Sequence, residues 1–302
     1  MNITKNQFDI LAYVEREGGK KITQRQLADT TQVSLGTVNK TVTELTTLGA
    51  IEINEKKDMR ITRIGLEALE PYRVKRAVII AAGFGSRMVP ITLNTPKPLV
   101  RVHGQMIIST LLEAIDKAGI KEVIIVRGYL WEQFDVLKRQ YPHIEFVYNP
   151  IYNEANNISS ALLVRDKLRN AYVCEADLLV NNPAVIRKYE YSSNYLGQYR
   201  NYTDDWCFIV KKGYIRELVV GGTNCYHMYG ISYWNEEDGR KLESHIEEAF
   251  KMPGGKERYW DEVALRIFSK EYNVEVRPCF EGDVIEIDTF TELKSLDKSY
   301  DV

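Results

Sequence analysis

Two cations beside a loop of small residues are the first groups in this chain that could do chemistry. Ala81-Ala82-Gly83-Phe84-Gly85-Ser86-Arg87 is followed, ten residues after Arg87, by Lys97 in Thr95-Pro96-Lys97-Pro98-Leu99. Small residues let successive backbone N–H groups approach a ligand, and such a turn forms a concavity that holds an anion. Arg87 and Lys97 can reach the same anion. The dinucleotide fingerprint is excluded because bulky Met88 stands where a third small residue is needed, and no Gly-Lys-Ser/Thr run completes a P-loop. The pattern reads as a loop for a nucleoside triphosphate. Acidic candidates come later: Asp177 after the apolar run 171–174, and Glu286 and Asp288 after Asp283-Val284-Ile285. Strand alternation puts Glu286 and Asp288 on one face. Asp177 has a plainer alternative, capping the element that follows it.

These residues need elements to position them. Arg76-Ala77-Val78-Ile79-Ile80 predicts a buried parallel strand feeding the glycine loop. Ile107, Ile108, Leu111, Leu112 and Ile115 mark an amphipathic helix ending at Gly119, and 123–126 reads as the next strand. A helix over 131–140, a strand over 144–148, a helix over 158–168 and a strand over 171–174 continue the alternation. That order predicts an α/β fold with a mostly parallel sheet covered on both faces. Its ligands bind outside the carboxyl ends of the strands, where the Gly83 loop falls.

Residues 1–72 read as a separate domain joined by the linker 71–75 to a second domain over 75–302. Phe8, Ile10, Leu11 and Val14 recur at helical spacing before Gly18-Gly19, Thr23 caps a second helix, and Ser34 caps a third carrying Val38, Val42, Leu45 and Leu48. Ile51–Ile53 and Met59–Thr62 flank a charged tip at 54–58, and a last helix ends at Pro71. This order resembles the winged helix-turn-helix domains of bacterial regulators, which implies DNA contact through residues 34–48 with Ser34, Thr37, Asn39, Lys40 and Thr41 outward. Residues 1–75 hold 12 Lys+Arg against 10 Asp+Glu, a thin surplus for phosphate-driven affinity. A role in dimerisation, or in contact with the second domain, therefore stands beside DNA binding.

A net charge of −2 and an apolar share of 44% argue against a polyelectrolyte partner for the whole chain. Cys174, Cys207, Cys225 and Cys279 show neither zinc nor disulfide spacing, and His103, His143, His227 and His245 show no metal spacing. With no apolar leader and no membrane-spanning window, the expected location is cytoplasmic.

The loop, Pro90-Ile91-Thr92 and Thr95-Pro96-Lys97-Pro98-Leu99 together resemble the signature of nucleotidyltransferases that join a nucleoside triphosphate to a phosphorylated small molecule. Arg127-Gly128-Tyr129-Leu130, the segment 152–162 with Asn156-Asn157, Asp205-Trp206-Cys207-Phe208, Tyr229–Trp234, Arg258-Tyr259-Trp260-Asp261 and Glu286-Ile287-Asp288 resemble bacterial CTP:phosphocholine cytidylyltransferases. The resemblance spans residues 76–298 and implies a Rossmann-like nucleotidyltransferase domain making CDP-choline and pyrophosphate from CTP and phosphocholine. It implies Mg²⁺ held by Asp177 and Asp288, Arg87 and Lys97 as catalytic cations on the phosphates, and Ala81, Ala82, Gly83, Gly85, Ser86, Tyr129, Asn157 and Ser160 around the nucleotide. Mg²⁺ takes few protein oxygens and leaves the rest to phosphate and water, so two carboxylates suffice.

A quaternary ammonium offers no N–H, so aromatic faces and a nearby carboxylate must hold it. Trp206, Tyr259, Trp260, Asp261 and Glu286 supply those residue types, although 19 Tyr and 4 Trp place aromatics near any site. The rival acceptors are phosphoethanolamine, an aminophosphonate or a sugar-1-phosphate. From another class, the chain reads as a transcriptional regulator sensing CTP or CDP-choline. A second copy of the chain, as a homodimer, is the remaining partner reading.

Overall fold

The chain divides into two units, Met1–Arg73 with Tyr189–Tyr191, and Val74–Lys188 with Ser192–Val302. The computed structural model describes residues 2–18, 21–55 and 58–301. Gly19, named above at a helix end, and Lys56 and Lys57 of the expected wing tip lie outside them.

In the first unit, side-chain caps set where the helices begin. Thr4 opens α1 (Lys5–Glu17) and Thr23 opens α2 (Gln24–Thr31), each in a capping box closed by a glutamine. Ser34 caps α3 (Leu35–Thr47). Phe8, Ile10, Leu11 and Val14 meet Leu27, Val38, Val42 and Leu45 in one core. β1 (Ile51–Ile53) and β2 (Met59–Ile61) pair antiparallel as the wing, and Thr62 caps α4 (Arg63–Leu69). Three residues from far along the chain join this core: Tyr189 is buried in it, and Tyr191 stacks on Tyr72 with ring centroids 5.1 Å apart. Thr41 is not outward but 5% exposed, since it lies three residues after Val38 and four before Leu45 on the same helix face. Leu48 caps the end of α3 and stands 47% exposed rather than in the core.

The second unit continues with β3 (Arg76–Ala81), the short hairpin β4 (Arg101–Val102) and β5 (Gln105–Met106), α5 (Ile107–Lys117), β6 (Glu122–Arg127) and β7 (Ile144–Tyr148). After α6 (Ile158–Leu163) come β8 (Ala171–Glu175), β9 (Leu178–Val180), β10 (Asn194–Lys211) and β11 (Tyr214–Trp234). α7 (Glu236–Lys251), β12 (Glu275–Pro278), β13 (Val284–Glu286) and α8 (Phe290–Leu296) complete it. The main sheet has the order β10-β12-β11-β8-β3-β6-β7. β8, β3, β6 and β7 are mutually parallel, whereas β11 runs antiparallel to β8 and β10. Alternation along β3 sends Ala77, Ile79 and Ala81 into the core with α5, and Val78 and Ile80 into the core with α6 and α7.

Three features depart from expectation. Residues Trp131–Arg139 form 3₁₀ turns rather than an α-helix, and α6 stops at Leu163 before a 3₁₀ turn at Arg165–Lys167. The long hairpin β10–β11 is broken by several register shifts, and such bulges erase the period-two pattern a strand is read by. β13 joins β9 in a separate antiparallel pair. That pair carries Asp288 back to the end of β8, where the Ile287 N–H donates to the Asp177 carbonyl at 3.2 Å. No helix among the described residues is long and apolar enough to cross a membrane.

Candidate active site

Pro96 starts the 3₁₀ turn that carries Lys97. Lys97 is 8% exposed, and its Nζ donates to Asp177 Oδ2 at 2.7 Å and to Asp288 Oδ1 at 2.9 Å. Burial would lower the Lys97 ammonium, but the two carboxylates outweigh it and hold it above the usual lysine range. Arg87 Nη2 donates to the same Asp288 oxygen at 2.8 Å, while its side chain stays 67% exposed to any ligand. Ile287 is buried in the core beneath, so Glu286 and Asp288 do share the opposite face.

The carboxyl groups of Glu175, Asp177 and Glu286 bring ligand atoms within 4.8 Å of one another. Burial, then Asp177, pushes both glutamates well above the usual carboxylate range. Asp177 Oδ1 is buried without a hydrogen-bond partner. Four carboxyls against the two cations Lys97 and Arg87, with one orphaned oxygen, form a donor set that fits a hard divalent cation. Asp177 and Asp288 are the residues that would hold it.

A cavity of about 230 Å³ lies beside this centre, lined by Ala81, Ala82, Gly83, Gly85, Asn157 and Ser160 among others. At Gly83 a side chain would meet no protein atom within 4 Å, so the backbone there lies open to a ligand. Gly85 has φ +70°, and a Cβ would come 3.1 Å from Lys97 Cβ. Asn149, at the carboxyl end of β7, was not anticipated. It is 1% exposed and donates to Ser159 Oγ at 2.9 Å and Ser160 Oγ at 3.0 Å. Asn157 donates to Glu175 Oε1 at 3.1 Å and accepts from the Trp260 N–H at 2.9 Å. Ser86 and Tyr129 line neither this cavity nor the next. Tyr129 instead braces the loop, donating through its N–H to Ala82 O and through its hydroxyl to Leu93 O, each at 3.0 Å.

A second cavity, of about 340 Å³, shares Glu175 and Asp177 with the first. Trp206, Tyr259, Asp261, Glu286, Asp288 and Arg87 line it, as do Asp205 and Glu262, which sequence reasoning missed. A register shift between Thr203 and Trp206 sets Asp205 and Trp206 off the regular ladder at this wall. Trp206 and Tyr259 meet edge to face at 5.6 Å. Asp261 is 2% exposed and accepts from the Tyr195 hydroxyl. Its carboxyl is raised to about 7, chiefly by burial, against the lowering effect of the Tyr195 hydrogen bond. Trp260 does not belong to this wall: it is 1% exposed and packs on Trp234 in the core at 6.0 Å. The turn at 258–261 points Asp261 to the cavity and Trp260 away from it.

Residues 76–205 match the nucleotidyl transferase family, and residues 1–61 match the MarR family. Over 228 residues the chain is 35% identical to the 2-aminoethylphosphonate cytidylyltransferase of Lancefieldella rimae, covering 74% of this chain and 92% of that protein. Over 226 residues it is 33% identical to the choline-phosphate cytidylyltransferase of Streptococcus pneumoniae, covering 74% of this chain and 97% of that protein. The solved CTP:phosphocholine cytidylyltransferase from Streptococcus pneumoniae superposes with a TM-score of 0.70 at 33% identity, over 75% of this chain and 99% of that one. Fold, crevice and likeness agree: the chain belongs to the cytidylyltransferases of the nucleotidyl transferase family and carries a MarR-family winged helix domain at its N-terminus.

Proposed function

We propose that the chain transfers the cytidylyl group of CTP to the phosphate or phosphonate of a small amine, releasing pyrophosphate. An acceptor oxygen forms a bond to the α-phosphorus of CTP in line with the departing oxygen, and the α–β bridging bond breaks. The acceptor is already an anion, so no general base is required, and catalysis is positioning and charge neutralisation. Arg87, mostly exposed at the crevice, holds the pyrophosphate as it leaves. Lys97 balances charge on the phosphates. Ala81–Gly83, Asn157 and Ser160 seat the nucleoside, with Asn149 fixing the Ser160 hydroxyl. Asp177 and Asp288 would hold Mg²⁺, which supplies charge neutralisation on the phosphates when bound.

The observation that carries this reading is Lys97 clamped between Asp177 and Asp288 where the two cavities share Glu175 and Asp177. Phosphocholine as acceptor is supported by Trp206 and Tyr259 at right angles over a carboxylate floor. An acceptor amine bearing N–H is favoured by the number of carboxylates there and by the withdrawal of Trp260 into the core. Pyrophosphate release with each nucleoside triphosphate against phosphocholine, phosphoethanolamine, 2-aminoethylphosphonate and glucose-1-phosphate tests the proposal. Release should need CTP and one of the amines. A sugar phosphate as sole acceptor, or binding of CTP without any turnover, would refute it, and the latter would favour a sensor.

For the MarR-like domain we propose DNA contact through residues 34–48, supported by exposed Ser34, Asn39 and Lys40 along α3. Gel retardation of duplex DNA from upstream of its own coding sequence tests this, with a Lys40→Ala, Asn39→Ala double variant that should lose the shift.

A further inference from the structure

His227 has no part in the chemistry above, yet it is 6% exposed and set against the acceptor cavity. Its Nδ1 lies 3.2 Å from Thr203 Oγ1. Its Nε2 stands 4.0 Å from Glu286 Oε2, beyond hydrogen-bond reach. Asp205 supplies a third group: ligand atoms of Asp205, His227 and Glu286 all lie within 4.8 Å of one another. Asp205 and Glu286 line the cavity directly. One Asp205 oxygen accepts from the Trp206 N–H at 2.7 Å. Burial and the nearby Arg200 hold the His227 imidazole below its usual range, so the neutral ring can offer Nε2 as an acceptor while Nδ1–H faces Thr203.

The spacing separates the occupants. Ligands bonded at about 2.1 Å to a tetrahedral metal would stand roughly 3.4 Å apart. Acceptors at about 2.9 Å around an ammonium would stand roughly 4.7 Å apart. The 4.0 Å approach of Nε2 to Glu286 is wider than the metal requires and leaves room for an N–H donor between them. A trimethylammonium has no N–H to give these acceptors and depends on aromatic faces. Of those, one Trp206 face already carries the Arg266 guanidinium, 4.6 Å from the ring centroid. Glu286 and Asp288 are two residues apart on one face, roughly 6.6 Å along an extended chain, a span suited to a phosphorus group and an ammonium joined by two carbons.

We propose that Asp205, His227 and Glu286 form a three-acceptor seat for an N–H-bearing ammonium, so that the acceptor substrate is a primary amine two carbons from its phosphate or phosphonate rather than a quaternary one. This rests on the cytidylyl-transfer reading above. The test uses the full chain with CTP and Mg²⁺ and a methylation series: phosphoethanolamine, its N-methyl and N,N-dimethyl derivatives, and phosphocholine. Each methyl group removes one N–H donor. kcat/KM should fall along the series, by about 100-fold from first to last, because a site built for N–H donors rejects analogues lacking them. His227→Leu should shrink the preference for phosphoethanolamine over phosphocholine by about tenfold, through KM for the amine and not for CTP. His227→Gln, which keeps an acceptor, should retain more of the preference than His227→Leu. Equal or better turnover of phosphocholine, or a His227→Leu variant that slows all four acceptors alike, would overturn the seat and leave cytidylyl transfer standing. Pyrophosphate release with none of the four would overturn both.

Discussion

Lys97 Nζ and Asp288 Oδ1 meet at 2.9 Å although 191 residues separate them in the chain. The contact ties the glycine-loop end of the domain to the β9–β13 pair, which lies outside the main sheet. It also solves an electrostatic problem. Asp177 and Asp288 have side chains only 18% and 15% exposed, and two carboxylates that close repel unless a cation stands between them. In the free protein Lys97 is that cation.

Lys97→Met should therefore do two separable things. Turnover should fall by roughly 10²- to 10³-fold, the scale for removing one charge-stabilising donor at a reacting centre. In chelator the melting temperature should also drop, because the acid pair is left unneutralised. Mg²⁺ should then raise it by more than it raises the wild type. A variant with near-normal turnover would remove Lys97 from the phosphate chemistry.

Asp177→Asn and Asp288→Asn bear on the cation directly. Each should weaken Mn²⁺ binding, read by electron paramagnetic resonance of the free ion, and abolish turnover while the protein stays folded. Chelator should silence the wild type and added Mg²⁺ should restore it. Wild-type activity that persists in chelator would show that the carboxylates serve only the lysine.

Much of this centre was legible in the sequence because local spacing encodes it. The strand–loop–Arg87 unit and Lys97 lie within a short stretch, and Glu286-Ile287-Asp288 fixes its own facing by alternation. The parallel strands were legible because burial on both faces makes them continuous aliphatic runs. What stayed hidden depends on distant pairing. Asp205 is aimed by a bulge in a hairpin whose register the sequence does not display. His227 is a lone histidine until Glu286, far along the chain, comes beside it. Asn149 acts through two serines on another element. Trp260 was misplaced for the reverse reason: its neighbours Tyr259 and Asp261 do line the cavity, and only the local turn decides which of three adjacent residues points inward.

The pH dependence of stability should carry the mark of Asp261. Its carboxyl is raised to about 7 in the folded chain, against about 3.9 when unfolded. Between those values the native state holds a proton that the unfolded state has released. Stability contributed by this group is complete below about pH 4 and is lost as pH rises through about 7, at most about 4 kcal/mol. Urea midpoints of wild type and Asp261→Asn, measured from pH 4.5 to 7.5, should converge at low pH and part as the wild type weakens. Parallel curves across that range would mean the buried carboxyl is ionised throughout.

Trp206 and Trp260 give the sharpest contrast between a wall and a core. Trp206 is half-buried at the acceptor cavity, with Arg266 on one face and Tyr259 at its edge. Trp260 is 1% exposed between Trp234 and the aliphatic core, and touches the site only through its backbone N–H to Asn157. Trp260→Ala should cost about 3–5 kcal/mol, as large aromatic truncations in cores do, and the fraction that remains folded should keep its KM for the acceptor. Trp206→Ala should shift the urea midpoint far less and raise KM for the acceptor by about tenfold, a scale set by one lost aromatic wall, with KM for CTP unchanged. The two readouts must cross. If Trp260→Ala raised the acceptor KM while stability held, the ring would have to leave the core on binding, and the cavity wall would have to be redrawn around it.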